Sequence, residues 1–180
     1  VPGVVEPAVP DSESEELKAA AVQAVNTALD NLIAMRNKEG AELEKDLRGR
    51  IDLLKQFLEK IKPLAAGVPT ALKQKLIEKI TAENLPVDTN DERLLKEVLL
   101  YADKADITEE ITRLESHFRQ FDGFLAASKP VGRSLDFLLQ EMFREITTLG
   151  NKAGSSDITP IVVAFKSELE KIREQVQNIE

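Results

Sequence analysis

Apolar residues recur at spacings of three and four along most of this 180-residue chain, the period of amphipathic helices. Leu17, Ala21, Ala24, Ala28, Leu32 and Met35 form the first run. Ser12-Glu-Ser-Glu15 precedes it as a capping box, serine at the cap and glutamate three residues on. After Glu39-Gly40, the residues Leu43, Leu47, Ile51, Leu54, Leu58 and Ile61 form a heptad-like run that Pro63 should stop. Two long helices around a glycine suggest an antiparallel hairpin, or one long bent helix if the break is soft. The seam at 43–61 is open to two readings: a partner-binding surface, or one half of an intramolecular pair.

Ala65 to Pro69 reads as a turn, and Leu72, Leu76, Ile77 and Ile80 as a shorter helix. Leu85 to Asn90 is a connector, and Asp91-Glu92 suits a helix start. Leu94, Leu95, Val98, Leu99 and Ala102 make the next apolar face. Asp106-Ile-Thr-Glu109 repeats the capping logic before Ile111, Leu114, Phe118, Phe121 and Leu125. Beyond the loop at 128–132, Leu135, Leu138, Leu139, Met142, Ile146 and Leu149 share a face. Ile161, Phe165, Leu169, Ile172, Val176 and Ile179 share the last. No segment alternates with a period of two, so strands are not expected. The fold class is therefore all-α: a helical hairpin arm at about 14–62, a connector helix, and a compact C-terminal bundle of three or four helices. Two regions follow, 1–90 holding the extended start, hairpin and connector, and 91–180 holding the C-terminal helical domain.

Composition narrows the chemistry. Hydrophobic residues are 42% and charged residues 31%, enough apolar material for a packed core. Cysteine is absent, which excludes disulfides, Cys-ligated zinc and a Cys nucleophile, and fits a reducing compartment. His117 is the single histidine, so a two-histidine metal motif cannot form within one chain, and no G-x-S-x-G supplies a serine partner. No apolar stretch approaches the ~18 residues of a membrane span, and no partnership with a membrane is expected. The chain opens on Val1, and Val1 to Pro10 reads as an extended linker; a fragment or processed chain is the expectation.

Net charge is −8. Residues 1–46 carry 4 basic and 10 acidic side chains, residues 47–105 carry 11 and 9, and residues 106–180 carry 9 and 13. None is a broad basic patch of the kind that binds nucleic acid nonspecifically.

Two polar stripes remain. At 100° per residue, Asp106, Glu110, Arg113 and His117 lie within about 60° of one another, with Glu109 beside them. Carboxylates and an imidazole suit Mg²⁺ or Mn²⁺, and Arg113 suits a phosphate. The same residues also read as a solvated helix face with a cap and an i,i+3 pair, the commoner case from periodicity alone. On the following helix Arg133, Asp136, Gln140, Arg144 and Thr147 fall within about 80°, with Glu141 and Glu145 flanking. Arg133 and Arg144 are spaced to contact a phosphate chain, and Asp136, Glu141 and Glu145 offer ligands for a divalent ion. A water-facing i,i+4 ladder is the plainer reading here too. Phe118, Phe121, Phe124 and Phe137 could stack bases, but their helical spacing is better explained as core.

One resemblance covers nearly the whole chain. Ala102 to His117 (ADKADITEEITRLESH), Gly132 to Glu141 (GRSLDFLLQE), Arg144-Glu145, Thr148-Leu149, Lys152 and the ending Ile172 to Glu180 resemble the YicC family of bacterial proteins. Val1 to Glu6 and Met35 to Gly40 with Leu43 fit as well. The resemblance implies a cytoplasmic, metal-dependent endoribonuclease that favours Mn²⁺ over Mg²⁺ and acts on RNA, small regulatory RNAs included. It also implies a ring-like homo-oligomer, taken as a hexamer, with residues 1–90 as the tail of the family's N-terminal domain. Carried over residue by residue, it implies functional roles for Glu110, Arg113, His117, Asp136, Gln140, Glu141, Arg144 and Glu145. Divided by side-chain chemistry, catalysis falls to Glu110, His117, Glu141 and Glu145. RNA or phosphate contacts fall to Arg113, Arg133, Gln140, Arg144 and Lys152. Metal ligation falls to Glu110, His117, Asp136, Glu141 and Glu145. The chain departs from the family pattern at Phe143, Thr147 and Asn151, which stand in Asn, Asn and Ser columns, and at Lys104, which replaces Arg. A single histidine suits metal-assisted hydrolysis better than a two-histidine, metal-free mechanism. The rival from another class is a helical assembly module with no chemistry of its own. The two stripes facing each other would favour the nuclease; stripes pointing separately into solvent would favour the scaffold.

Overall fold

The computed structural model of the protein describes residues 15–83, 91–127 and 129–179. The extended start at 1–10, the Ser12 cap and the connector at 85–90 lie outside the described residues. Six helices and no strand occur among the described residues: α1 (Glu15–Ala65), α2 (Val68–Ala82), α3 (Glu92–Asp103), α4 (Thr108–Leu125), α5 (Gly132–Ala153) and α6 (Thr159–Val176). The all-α expectation holds. The chain divides into two compact units, Val1–Glu44 and Lys45–Glu180.

The hairpin is corrected to one helix. α1 runs unbroken through Gly40 and carries Pro63 inside its last turn. Glycine lowers helix propensity without forbidding the helix, and a proline near the C-terminal end disturbs few further backbone bonds. A Cβ at Gly40 would meet nothing within 4 Å. Gly40→Ala is therefore expected to stabilise α1 locally by about 0.5–1 kcal/mol. Slower amide hydrogen exchange around residue 40 checks it, and unchanged or faster exchange would contradict it.

In the first unit the apolar side of α1 is uncovered: Leu17, Val25, Leu29, Leu32 and Met35 are all exposed. In the second unit the heptad-like run becomes core. Leu47, Ile51, Leu54, Leu58 and Ile61 are at most 2% exposed, which settles the seam as an intramolecular surface. Ion pairs frame it, Lys55–Asp122 at 3.1 Å and Lys62–Glu115 at 2.7 Å toward α4, and Arg50–Glu168 at 2.5 Å toward α6. Burial pushes the Glu168 carboxyl up, but its bonds from Lys171 and Arg50 outweigh this and leave it below the ordinary range.

The C-terminal part of α1 thus joins α4, α5 and α6 in a bundle. Leu114, Phe121, Leu135, Met142, Ile146, Phe165 and Ile172 are fully buried at its centre, and the Phe118 and Phe165 rings meet at 6.3 Å. Two glycines set the ends of α5. A side chain at buried Gly132 would drive into the carbonyl of Ile179. Gly154, at φ 51, takes the left-handed turn that ends the helix. The short helices α2 and α3 pack on one another. Asp91 caps α3 by accepting the Arg93 N–H, as its acidic start suggested.

Candidate functional site

The site grows from the start of α4. Asp106 accepts both the backbone N–H of Thr108, at 2.8 Å, and its hydroxyl, at 2.6 Å. The Thr108 hydroxyl and amide together hold the Asp106 carboxyl below its ordinary value. The capping box is not closed, because Glu109 turns along the helix to Arg113. With the first turn fixed, Glu110, Arg113 and His117 project on one side, and α5 packs against it.

This face is not a solvated stripe. Glu110 is 4% exposed and Glu145, opposite on α5, is 9% exposed. Lys152 reaches back from the end of α5 to Glu110 Oε1 at 2.7 Å and to the Asp106 carbonyl at 3.4 Å. Arg113 Nη1 donates to Glu145 Oε1 at 3.0 Å. Each helix supplies a buried carboxylate, and the other supplies the cation that compensates it, the arrangement that makes a buried charge tolerable. The second oxygen of Glu110, Oε2, is buried without a hydrogen-bond partner among the described residues.

His117 lies half-buried beside this cross-brace. Its Nδ1 is also buried and unpartnered among the described residues. Burial lowers its pKa, while the nearby charges of Glu145 and Glu141 push it back up and Arg113 pushes it further down. The outcome is below the ordinary 6.5, which favours the neutral imidazole at pH 7. A neutral imidazole can accept a proton, and two adjacent carboxylates would stabilise the imidazolium that results.

The other sequence-selected residues are divided. Asp136 and Gln140 turn toward α6: Gln140 donates to Asp136 at 2.8 Å, and Arg173 of α6 approaches Asp136 at 3.4 Å. Arg144 is exposed and pairs with Glu141. Arg133 is exposed at the start of α5. The second stripe therefore does not face the first, since Asp136 and Gln140 turn to α6 and Arg133 and Arg144 are exposed; what meets Glu110, Arg113 and His117 is its flanking pair Glu141 and Glu145, with Lys152. Arg173 was missed by the sequence reading; its register on α6, opposite Asp136, cannot be read without the α5–α6 packing. Among the described residues no three His, Asp or Glu side chains gather closely enough to hold a metal ion. The reason is visible in the pairing, since each carboxylate of the proposed ligand set is turned to a cation or an amide. Phe137 also departs from expectation. It is 63% exposed, because it lies about 150° around α5 from the centre of the buried face. No helix among the described residues is long and apolar enough to cross a membrane.

Known proteins resemble this chain over nearly its whole length. Residues 61–180 match the family described as endoribonuclease YicC-like, C-terminal. The chain is 42% identical, over 99% of its length, to a protein of Clostridioides difficile (strain 630) named probable endoribonuclease YicC. It is 33% identical over the same share to a protein of that name from Haemophilus influenzae. In both cases it spans 61% of the relative's length. The chain belongs to the YicC-like endoribonuclease family, with residues 61–180 matching that family's C-terminal domain.

Proposed function

We propose that the full-length protein cleaves RNA phosphodiester bonds and that this chain contributes the α4–α5 face centred on His117. The observation that carries the reading is a half-buried imidazole with an unpartnered Nδ1 and two carboxylates and a guanidinium around it. In this reading His117 takes the proton from the attacking oxygen, and Glu145 and Glu141 lower the cost of the positive charge that forms. Arg113 and Arg144, both with exposed guanidiniums, draw the anionic phosphate toward it. Glu110 and Lys152 hold the helices in register rather than touch substrate.

The Mn²⁺ or Mg²⁺ ion belongs to the proposal as well, but the ligand set Glu110, His117, Asp136, Glu141 and Glu145 does not fit one in a single chain. Glu110 is tied to Lys152, and Asp136 faces α6. A divalent ion at Glu141 and Glu145 needs ligands from elsewhere in the full-length protein or from a second copy, and no step is derived through it. Self-association is part of the same reading, with the uncovered apolar side of α1 as the surface available for it.

Cleavage of a labelled structured RNA by the full-length protein, with Mn²⁺, with Mg²⁺ and with excess chelator, tests the whole. Metal-stimulated cleavage abolished by chelator is expected. Undiminished cleavage in chelator would remove the ion and leave proton transfer by His117. Absence of cleavage under every condition would favour a helical assembly module.

A further inference from the structure

On α5, Phe137 presents a large apolar ring to solvent, 63% exposed. A single exposed apolar side chain is ordinary on a protein surface. What distinguishes this one is its company. Arg133, one turn before, and Arg144, two turns after, lie within about 40° of it around the helix. Both are exposed, and Arg133 makes no ion pair among the described residues. Along the axis they sit about 6 Å and about 10 Å from the phenylalanine, within reach of long side chains working around one ring. Glu141 shares the face and neutralises Arg144 at 2.5 Å, so a polyanion would have to displace it there. Beside the stripe, α5 and α6 enclose a groove of about 300 Å³ whose lining includes Gln140, Phe143, Arg144, Arg173 and the carboxylate of Glu170, which stands 3.9 Å from Arg173. The Lys166 ammonium stands 5.2 Å from the centre of the Phe143 ring. Aromatic rings interleaved with cations are what unpaired nucleotides require: a π-face for the base and positive charge for the backbone on either side.

We propose that Phe137 is a stacking platform for an unpaired RNA base, with Arg133 and Arg144 holding the flanking phosphates and the α5–α6 groove receiving the neighbouring nucleotide. This rests on the reading of the protein as an RNA-cleaving enzyme and adds a substrate feature to it: recognition of unpaired rather than duplex segments on the α5 side away from the core. The ring acts on binding and placement of the RNA, whereas His117 acts on the proton.

Tryptophan is absent from the chain, so Phe137→Trp adds a reporter at the site itself. In the full-length protein with excess chelator to prevent turnover, oligouridylate and oligoadenylate should quench the emission that Phe137→Trp adds over wild type. The midpoint should match wild-type binding followed by fluorescence anisotropy. Phe137→Ala and Phe137→Leu should both weaken binding of these oligonucleotides about tenfold, and Phe137→Tyr should keep it, since stacking needs the ring. A blunt RNA duplex should bind wild type and Phe137→Ala alike. Equal oligonucleotide affinity for wild type, Phe137→Leu and Phe137→Ala would overturn the stacking role while leaving RNA cleavage standing. Emission that shifts with protein concentration and ignores RNA would assign the face to contact with a second copy. Failure of the wild type to bind any of these RNAs would remove both readings.

Discussion

Replacing His117 by alanine in the full-length protein is expected to lower the rate of RNA cleavage by about 10²-fold or more, the scale of a lost acid–base group. RNA affinity should change little, because the cations proposed to hold phosphate lie on Arg113, Arg133 and Arg144. The pH profile sharpens the test. Burial holds the His117 pKa below 6.5, so the acid limb of the cleavage profile, if it belongs to His117, should fall below that value. Stability carries the matching sign. As pH falls from 6.5, the unfolded chain takes up this proton before the folded chain does, so His117 makes stability decline with falling pH in that window and has no effect above it. His117→Ala should remove that part of the slope, read as the difference between the melting temperatures of variant and wild type from pH 7 down to pH 5. A folded variant with normal cleavage would leave only the carboxylates as candidates for the chemistry. A variant with the expected loss of rate and an unchanged pH slope would mean that another group titrates in this window.

The apolar period made the bundle legible because burial on a helix obeys one rule. Leu47 to Ile61, Leu135 to Leu149 and Phe165 to Val176 were all marked by spacing, and all are buried. The break at Gly40 was misread for a reason of magnitude. A glycine costs about 1 kcal/mol in a helix, which a helix of 51 residues absorbs. The site residues were legible only as types on a face. Spacing placed Glu110, Arg113 and His117 together, but periodicity treats a charged residue as solvated. Glu110 and Glu145 are buried because each finds a cation on the other helix, Lys152 and Arg113, and such pairings across 32 residues or more leave no local trace. Phe137 is the opposite case. Its angle around α5 already set it off the core face, and grouping it with Phe118 and Phe121 gave weight to residue type over direction.

Lys152→Met is expected to destabilise the protein by about 2 kcal/mol, a loss of about 4–8 °C in melting temperature for a chain of this size. Lys152 was selected from sequence as an RNA contact. Its ammonium is instead turned inward, to Glu110 Oε1 at 2.7 Å and to the carbonyl of Asp106. Glu110 is 4% exposed, and its other oxygen has no partner among the described residues, so without Lys152 a carboxylate would be left in the interior with nothing to compensate it. Breaking such a pair from one side costs more than the pair is worth. The estimate lies below the 3–5 kcal/mol of a fully buried pair because the Lys152 side chain keeps 32% of its exposure. Removing both charges should undo most of the loss, so Glu110→Leu combined with Lys152→Met should melt near wild type. A contact made only to RNA predicts the reverse: Lys152→Met would melt as wild type and bind RNA with a shallower salt dependence. The two outcomes separate a brace between α4 and α5 from a phosphate contact. If the brace is found, an inactive Lys152→Met variant would owe its inactivity to the loosened helices rather than to a lost hold on the substrate.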